Sequence, residues 1–419
     1  MEKLLIKGGK SLSGKIDCSG AKNAALPVIA ASILSSDDIT LKNLPFLQDI
    51  TTMFELIGSM GADISLDEKM NFKLNTSNLN NLEARYELVK TMRASILVLG
   101  SMVAKYGYAK IALPGGCAIG SRPVNYHLNA LKKLGAEISL ENGYIEARAK
   151  KLIGSQIEFE GVTVTGTENL MMAASLAEGK SILTNVAKEP EISDLADFLN
   201  SMGAKISGAG TDEIRIEGVE RLNGTSFTIP ADRIEAGTYL VAAALTNGNI
   251  TINKIDPSRM GAIIETLQKA GAEINLKSNS ISLDMTNNII KPVDIVTAPF
   301  PGFPTDMQAQ FTVLNCMGNG ESHVKETIFE NRFMHIQELN RMGTDISVIG
   351  TTAIINGVKS ISGAQVMATD LRASASLILA GLVAKGETIV DRIYHIDRGY
   401  ERIEEKLSSI GAEILRLPN

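Results

Sequence analysis

Tryptophan is absent from the 419 residues, aromatic side chains make up only 5%, and cysteine occurs three times. Cys18, Cys117 and Cys316 are odd in number, far apart and free of any Cys-x-x-Cys pairing, so they indicate neither a disulfide framework nor a zinc site. The four histidines, His127, His323, His335 and His395, show no metal-ligand spacing with one another. No metal and no cofactor is called for. Apolar runs of about 18 uninterrupted residues are missing, and the N-terminal Met-Glu-Lys-Leu-Leu-Ile-Lys-Gly-Gly-Lys lacks the long apolar core of a signal peptide. The expectation is a soluble, cytoplasmic protein. A surplus of basic charge is lacking as well: 41 Lys and Arg face 47 Asp and Glu, a net charge of −6. That balance argues against nucleic-acid or membrane-surface partners, and any anionic ligand must meet a focused local site.

What is present is an ordinary globular composition, 44% hydrophobic and 21% charged. The length exceeds the roughly 250–300 residues at which single cores stop growing, which predicts two domains. One pattern recurs six times: a helix-like stretch, then Gly-Ala or Gly-Thr, a charged residue and Ile. The glycines are Gly61, Gly135, Gly203, Gly271, Gly343 and Gly411, and subtraction of their positions gives spacings of 74, 68, 68, 72 and 68 residues. Before each glycine the apolar residues follow helical spacing, as in Leu195, Phe198, Leu199 and Met202, so the glycine reads as a helix C-cap. Alternating residues then predict two short strands around a turn.

Each unit also holds an earlier helix that is apolar nearly all round and rich in Ala, Gly and Ser: Ala24 to Leu34, Ala94 to Ala104, Leu170 to Ala177, Thr238 to Leu245, Gln310 to Met317 and Ser374 to Ala384. A helix without a charged face is buried on every side. The predicted unit is β-α-β-α-β-β and the class α/β, with three units per domain and a midpoint near Gly224 to Pro230. Pattern alone leaves open whether the first strand, Leu4 to Gly8, pairs with the N-terminal or the C-terminal half.

Polar residues stand just ahead of the six apolar helices: Lys22-Asn23, Arg93, Thr165-Gly-Thr-Glu-Asn169, Asp232-Arg233, Thr305-Asp306 and Asp370-Leu-Arg372. If the units are related by pseudo-rotation, these helix N-termini converge and form anion sites reinforced by Lys22, Arg93 and Arg372. The plainer reading of each charge is a cap or a surface ion pair. Glu189 and Glu191 read as a structural helix-start pair, and Cys18 and Cys316 as small core residues. Cys117 differs, because it lies in Pro114-Gly-Gly-Cys-Ala-Ile-Gly-Ser-Arg-Pro123, where glycines and flanking prolines suit a lid with a chemical group at its tip. The competing reading is a surface turn with an unused thiol.

Gly20-Ala-Lys-Asn23, the Pro114 to Pro123 loop, Thr327-Ile-Phe-Glu-Asn-Arg-Phe-Met-His335 and Asp370-Leu-Arg372 together resemble the UDP-N-acetylglucosamine 1-carboxyvinyltransferase (enolpyruvyl transferase) family, along the whole chain. The resemblance implies the enolpyruvyl transferase fold, two inside-out α/β barrel domains of three β-α-β-α-β-β repeats each. It implies one domain of about residues 22–229 carrying the Cys117 loop, a second of residues 1–21 plus 230–419, and an active site in the cleft between them. The implied substrates are phosphoenolpyruvate and UDP-N-acetylglucosamine, joined in the first committed step towards peptidoglycan, with no obligate protein partner.

Carried over by motif, Lys22 and Asn23 would meet phosphoenolpyruvate, helped by Arg122, Arg372 and Arg398. Arg93, the run Arg122, Pro123, Val124, Asn125 and Tyr126, together with Asp306 and Ile328, would hold the nucleotide sugar. Thr163, Val164, Arg332 and Asp370 complete the implied binding set, and the implied catalytic residues are Cys117 as general acid, Asp306 as acceptor of the sugar 3-hydroxyl proton, Lys22 and Arg398. Two compact polyanions need several cations in a desolvated site, which matches this set. Two positions depart from the family: Asn125 stands where relatives commonly carry Asp, and a basic residue that some relatives have near Gly161 is missing. The shikimate-pathway relative shares the fold but not the Cys117 loop. A silent nucleotide-sugar-binding regulator would not need Cys117, Lys22 and Asp306 together.

Overall fold

Apolar helices of the kind found in this sequence cannot be stable in water alone, and in the computed structural model, which describes residues 2–114 and 124–418, sheets cover them. The chain separates into two compact units. One comprises residues 20–114 and 124–230, the other residues 2–19 and 231–418.

Each unit holds three buried helices. In the first they are Lys22–Ala31, Val98–Tyr106 and Val164–Ser175, and in the second Arg233–Leu245, Gln308–Cys316 and Leu371–Val383. Every residue of Arg233–Leu245 is buried, which its run of Ala, Gly and Thr permits because small side chains admit close helix neighbours. The outer helices, such as Gln48–Ser59 and Pro190–Ser201, bury one face and expose the other. All six repeat glycines have positive φ, between 95° and 107°, so each ends its outer helix in a conformation that disfavours a β-carbon.

Among the described residues the strands form six four-stranded sheets. In a representative one, Gln156–Glu158 runs parallel to Lys180–Thr184, which pairs antiparallel with Glu213–Glu217, and Lys205–Ser207 closes the edge. The register sets Ile157 beside Leu183 and Leu183 beside Ile214, all buried against the helices. The β-α-β-α-β-β order holds, but three sheets take a strand from far away in sequence. Ile39–Lys42 is joined by Ser226–Thr228, and Asn249–Asn253 by Ser13–Asp17. The last repeat has only Glu413–Leu417 after its glycine, and Lys3–Lys7 supplies the missing hairpin strand, lying between Glu387–Asp391 and Glu413–Leu417. The first strand therefore belongs with the C-terminal half.

Five of the six buried helices begin earlier than the apolar pattern predicts, while Val98–Tyr106 begins later, behind the turn Arg93–Leu97. Lys22, Asn23, Arg233 and Arg372 lie inside the first turn rather than ahead of it. Side-chain caps allow this where they occur: Thr163 accepts from Gly166 N, Asp232 from Ile234 N and Glu235 N, and Asp370 from Arg372 N and Ala373 N.

Candidate active site

In the 20–230 unit the first helix starts at Lys22, and only glycine fits at position 20: a β-carbon there would lie 1.9 Å from the Asn43 carbonyl oxygen. That close approach fixes the entry of the chain into Lys22–Ala31. Lys22 is buried and its Nζ stands 3.3 Å from Asp49 Oδ2, a buried carboxylate in the first turn of Gln48–Ser59. Asn23 is half-buried beside it. Pro27 has no N–H to return to the Asn23 carbonyl, so that oxygen lacks its ordinary helical donor.

A second polar group is assembled by Asn169. Its amide nitrogen lies 2.9 Å from Ile96 O and 3.0 Å from His127 Nδ1, while its oxygen accepts from Gly100 N at 2.6 Å. His127 Nε2 meets Thr165 Oγ1 at 3.2 Å. Burial, reinforced by the positive charge of Arg93, pushes the His127 pKa down to about 4, so the ring is neutral. This network ties Arg93–Leu97 to the helix Asn125–Lys133, on which Asn125 is exposed and Tyr126 half-buried. A β-carbon at Gly161 would sit 3.0 Å from the Tyr126 hydroxyl, which brings the segment leading to Thr163 and Val164 against Tyr126. Glu168, one turn further on, is buried. Its carboxyl is pushed well above the usual range by burial and then by Glu191 and Glu189.

In the other unit Asp306 is the centre. Its Oδ1 accepts from Arg332 Nη2 at 2.7 Å and its Oδ2 from Arg372 Nη2 at 3.0 Å. Burial would raise its pKa, but Arg372 and then Arg332 outweigh burial and hold the carboxyl well below the usual range. Both guanidinium groups are buried, at 7% and 4% side-chain exposure, whereas Asp306 keeps 26%. Arg372 Nη1 is buried with no hydrogen-bond partner among the described residues. The guanidinium lies over the Tyr400 ring, 5.4 Å from its centroid. The Tyr400 hydroxyl joins Thr238 Oγ1 at 2.9 Å and Gln310 Nε2 at 3.3 Å.

Arg332 is set by a turn organised around Glu326. That carboxylate accepts from Ile328 N, Phe329 N, Thr297 Oγ1 and Thr305 Oγ1, and Arg332 Nη1 in turn donates to Thr305 Oγ1 at 2.8 Å. Ile328 is thereby fixed in the same turn as Arg332. Asp370 uses Oδ1 as a helix cap, the plainer of the two roles open to it. Arg398 ends the turn Ile393–Arg398, two residues before Tyr400, and with burial it depresses the His395 pKa.

Cys117, Arg122 and Pro123 lie outside the described residues. Val124 directly precedes the Asn125–Lys133 helix. Cys18 and Cys316 are buried, and burial pushes both thiols up, Cys316 to about 12. Among the described residues no group of three His, Cys, Asp or Glu is placed to hold a metal ion, and no helix is long and apolar enough to cross a membrane. The sequence singles out Asn169 as part of the polar run from Thr165, but gives no sign of Asp49, Glu326 or Tyr400. Each is an ordinary residue in its own stretch and gains its role through a partner on another element.

A sequence model of the family described as EPSP synthase (3-phosphoshikimate 1-carboxyvinyltransferase) matches residues 6–407. A UDP-N-acetylglucosamine 1-carboxyvinyltransferase of Hydrogenovibrio crunogenus is 58% identical over 416 residues, covering 99% of this chain and 100% of its own. One from Coxiella burnetii is 57% identical over 418 residues, 100% of this chain and 96% of its own. Among solved structures, the enolpyruvyl transferase NikO from Streptomyces tendae superimposes with a TM-score of 0.89 at 24% identity, covering 99% of both chains. An EPSP synthase from Acinetobacter baumannii gives 0.76 at 18% identity over 100% of both. These two likenesses speak for the fold.

Proposed function

We propose, from the premise that this chain belongs to the EPSP synthase family, that it transfers the enolpyruvyl group of phosphoenolpyruvate to the 3-hydroxyl of UDP-N-acetylglucosamine and releases phosphate. The transfer is the first committed step of peptidoglycan synthesis. The relatives at 57–58% identity carry that name, and the observation that carries the reading is the Asp306 carboxylate bracketed by Arg332 and Arg372 with a buried guanidinium nitrogen left over. A buried cation with an unused donor calls for an anion.

Phosphoenolpyruvate is assigned to Lys22, Asn23, Arg122, Arg372 and Arg398. The nucleotide sugar is assigned to Arg93, the Arg122 to Tyr126 run, Thr163, Val164, Asp306, Ile328, Arg332 and Asp370. The Cys117 thiol protonates carbon 3 of phosphoenolpyruvate, and carbon 2 becomes cationic. The sugar 3-hydroxyl oxygen bonds to carbon 2 while Asp306 takes the hydroxyl proton. The Cys117 thiolate then takes back a carbon 3 proton while the bond from carbon 2 to the phosphate oxygen breaks, which restores the alkene and frees inorganic phosphate. Asp306 ion-paired through both oxygens is a weak base, so bound anions that compete for Arg332 and Arg372 free it for proton transfer.

Phosphate release is the test. With phosphoenolpyruvate and UDP-N-acetylglucosamine the protein turns over, and with shikimate-3-phosphate it does not; the reverse pattern would overturn the assignment. Cys117→Ala is nearly inactive at neutral pH, whereas Cys117→Asp retains turnover with an acid-shifted profile, since a carboxylic acid still donates a proton but loses it at lower pH. Full neutral turnover by Cys117→Ala would remove the thiol from the mechanism.

A further inference from the structure

The three buried helices of the 20–230 unit start at polar N-termini and end at a cavity. Lys22–Ala31 runs on through the turn Ser32–Leu34, Val98–Tyr106 stops at the left-handed Gly107, and Val164–Ser175 stops at Leu176. Leu34, Tyr106 and Leu176 line one cavity of about 750 Å³. That volume lies within the roughly 300–1,000 Å³ of small-molecule sites. At about 1.5 Å per residue, a ten-residue helix sets this cavity roughly 15 Å from Lys22. It is therefore separate from Lys22, Asn23, Thr163 and Val164, which stand at the opposite ends of these helices.

Its wall joins apolar surface to positive charge. Leu34, Leu176 and Leu222 supply the apolar part, and Lys105, Lys150, Lys151 and Arg221 face two carboxylates, Asp37 and Glu220. In a chain of net charge −6 this is a local reversal of sign. The helix C-termini attract some of that charge. They do not account for all of it, because the cations differ in how they are compensated. Arg221 pairs with Asp37 at 3.0 Å and Lys151 with Glu178 at 3.3 Å. Lys105 instead donates to neutral oxygens, Ser35 O at 2.7 Å and Thr76 Oγ1 at 3.4 Å, and Lys150 makes no ion pair among the described residues. Burial pushes the Lys105 pKa down to about 8 against the pull of Asp37, the mark of an ammonium group short of a counter-ion.

We propose that this cavity binds a small organic phosphate, its dianion answered by Lys105 and Lys150 and its apolar body seated on Leu34, Leu176 and Leu222. Two ammonium groups without a carboxylate at contact distance match two negative charges, and half-buried Leu176, with the edges of the core residues Leu34 and Leu222, gives the wall an apolar side that a bare ion would leave uncovered.

Phenyl phosphate is the probe, read by NMR of the labelled lysine side chains and by calorimetry on the full chain. The Lys105 titration midpoint rises from about 8 when phenyl phosphate is present, and it does so in Lys22→Ala as well, because Lys105 reports its own surroundings. Lys150→Glu, an exposed change that leaves the core untouched, weakens binding about tenfold. Lys105→Met abolishes binding at the same concentrations. Inorganic phosphate binds more weakly than phenyl phosphate. An unmoved Lys105 midpoint at millimolar phenyl phosphate, or undiminished binding by Lys150→Glu, would overturn the proposal. Equal affinity for inorganic phosphate would overturn the organic part of it.

Discussion

The Lys22–Asp49 pair and the Asp306–Arg332–Arg372 cluster both put charge at helix starts, and their ion pairs differ in make-up. In the 20–230 unit the Lys22 ammonium meets the Asp49 carboxylate at 3.3 Å. In the other unit two guanidinium groups share one carboxylate, a net positive charge with both Asp306 oxygens occupied. The second arrangement holds its carboxylate ionised in spite of burial, and it retains an unbonded Arg372 nitrogen. The roles proposed above, binding for Lys22 and binding with proton exchange for Asp306, call for that difference in ion pairing.

Three sets of variants probe that contrast, in decreasing order of effect. Asp306→Asn removes the proton acceptor and one negative charge, so kcat should fall about 10²–10⁴-fold while the nucleotide sugar binds no more weakly, two guanidinium groups having lost their counter-ion. Lys22→Ala should instead act on phosphoenolpyruvate, lowering kcat/KM by the equivalent of about 2–5 kcal/mol, mostly through KM. Steady-state kinetics on both substrates would sink the distinction if the two variants shifted kcat and KM alike.

The next effect concerns acid. Each unit buries one neutral histidine, His127 and His335, and burial pushes both pKa values down to about 4. The unfolded chain takes up those protons near pH 6.5, well before the folded one, so stability present above pH 6.5 is lost as pH falls towards 4. The shift amounts to about 3 kcal/mol for His127. Unfolding followed between these pH values should show less of that loss in His127→Gln with His335→Gln than in wild type; the buried Glu168 carboxyl, raised in both, adds the same opposite slope to each, and identical slopes would refute the assignment. The smallest effect belongs to Tyr400→Phe, which keeps the ring under Arg372 and removes the hydroxyl with its bonds to Thr238 and Gln310 and its polar contact with Arg372. A cost of about 1 kcal/mol in stability with kcat little changed is expected. A loss of kcat far exceeding the loss of stability would make Tyr400 a positioning residue for Arg372.

Much of the fold was legible because its periodicity is local. The six glycines announce themselves as helix stops, and each takes the positive φ that role requires. The buried helices are visible as all-apolar stretches, although their starts were misread by up to six residues, since buried Lys22, Arg233 and Arg372 look like surface residues until their caps and partners are known. The candidate site was legible only in part. Lys22, Asp306 and Arg372 stand out by type and position, but Asp49 is 27 residues from Lys22, and Asp306 is 66 from Arg372.

By itself the sequence determined the repeat, the helix ends and the alternation of the strands, because hydrogen bonding and amphipathic burial act over a few residues and leave a period in the chain. Only the tertiary structure decided which distant strand completes three of the six sheets and which carboxylate meets which cation. Lys3–Lys7 lies between Glu387–Asp391 and Glu413–Leu417 because the last repeat ends one strand short and an unpaired sheet position must be filled. Asp306 meets Arg332 and Arg372 because a charge withdrawn from water must find its opposite wherever the fold brings one within reach, and no local pattern records that distance.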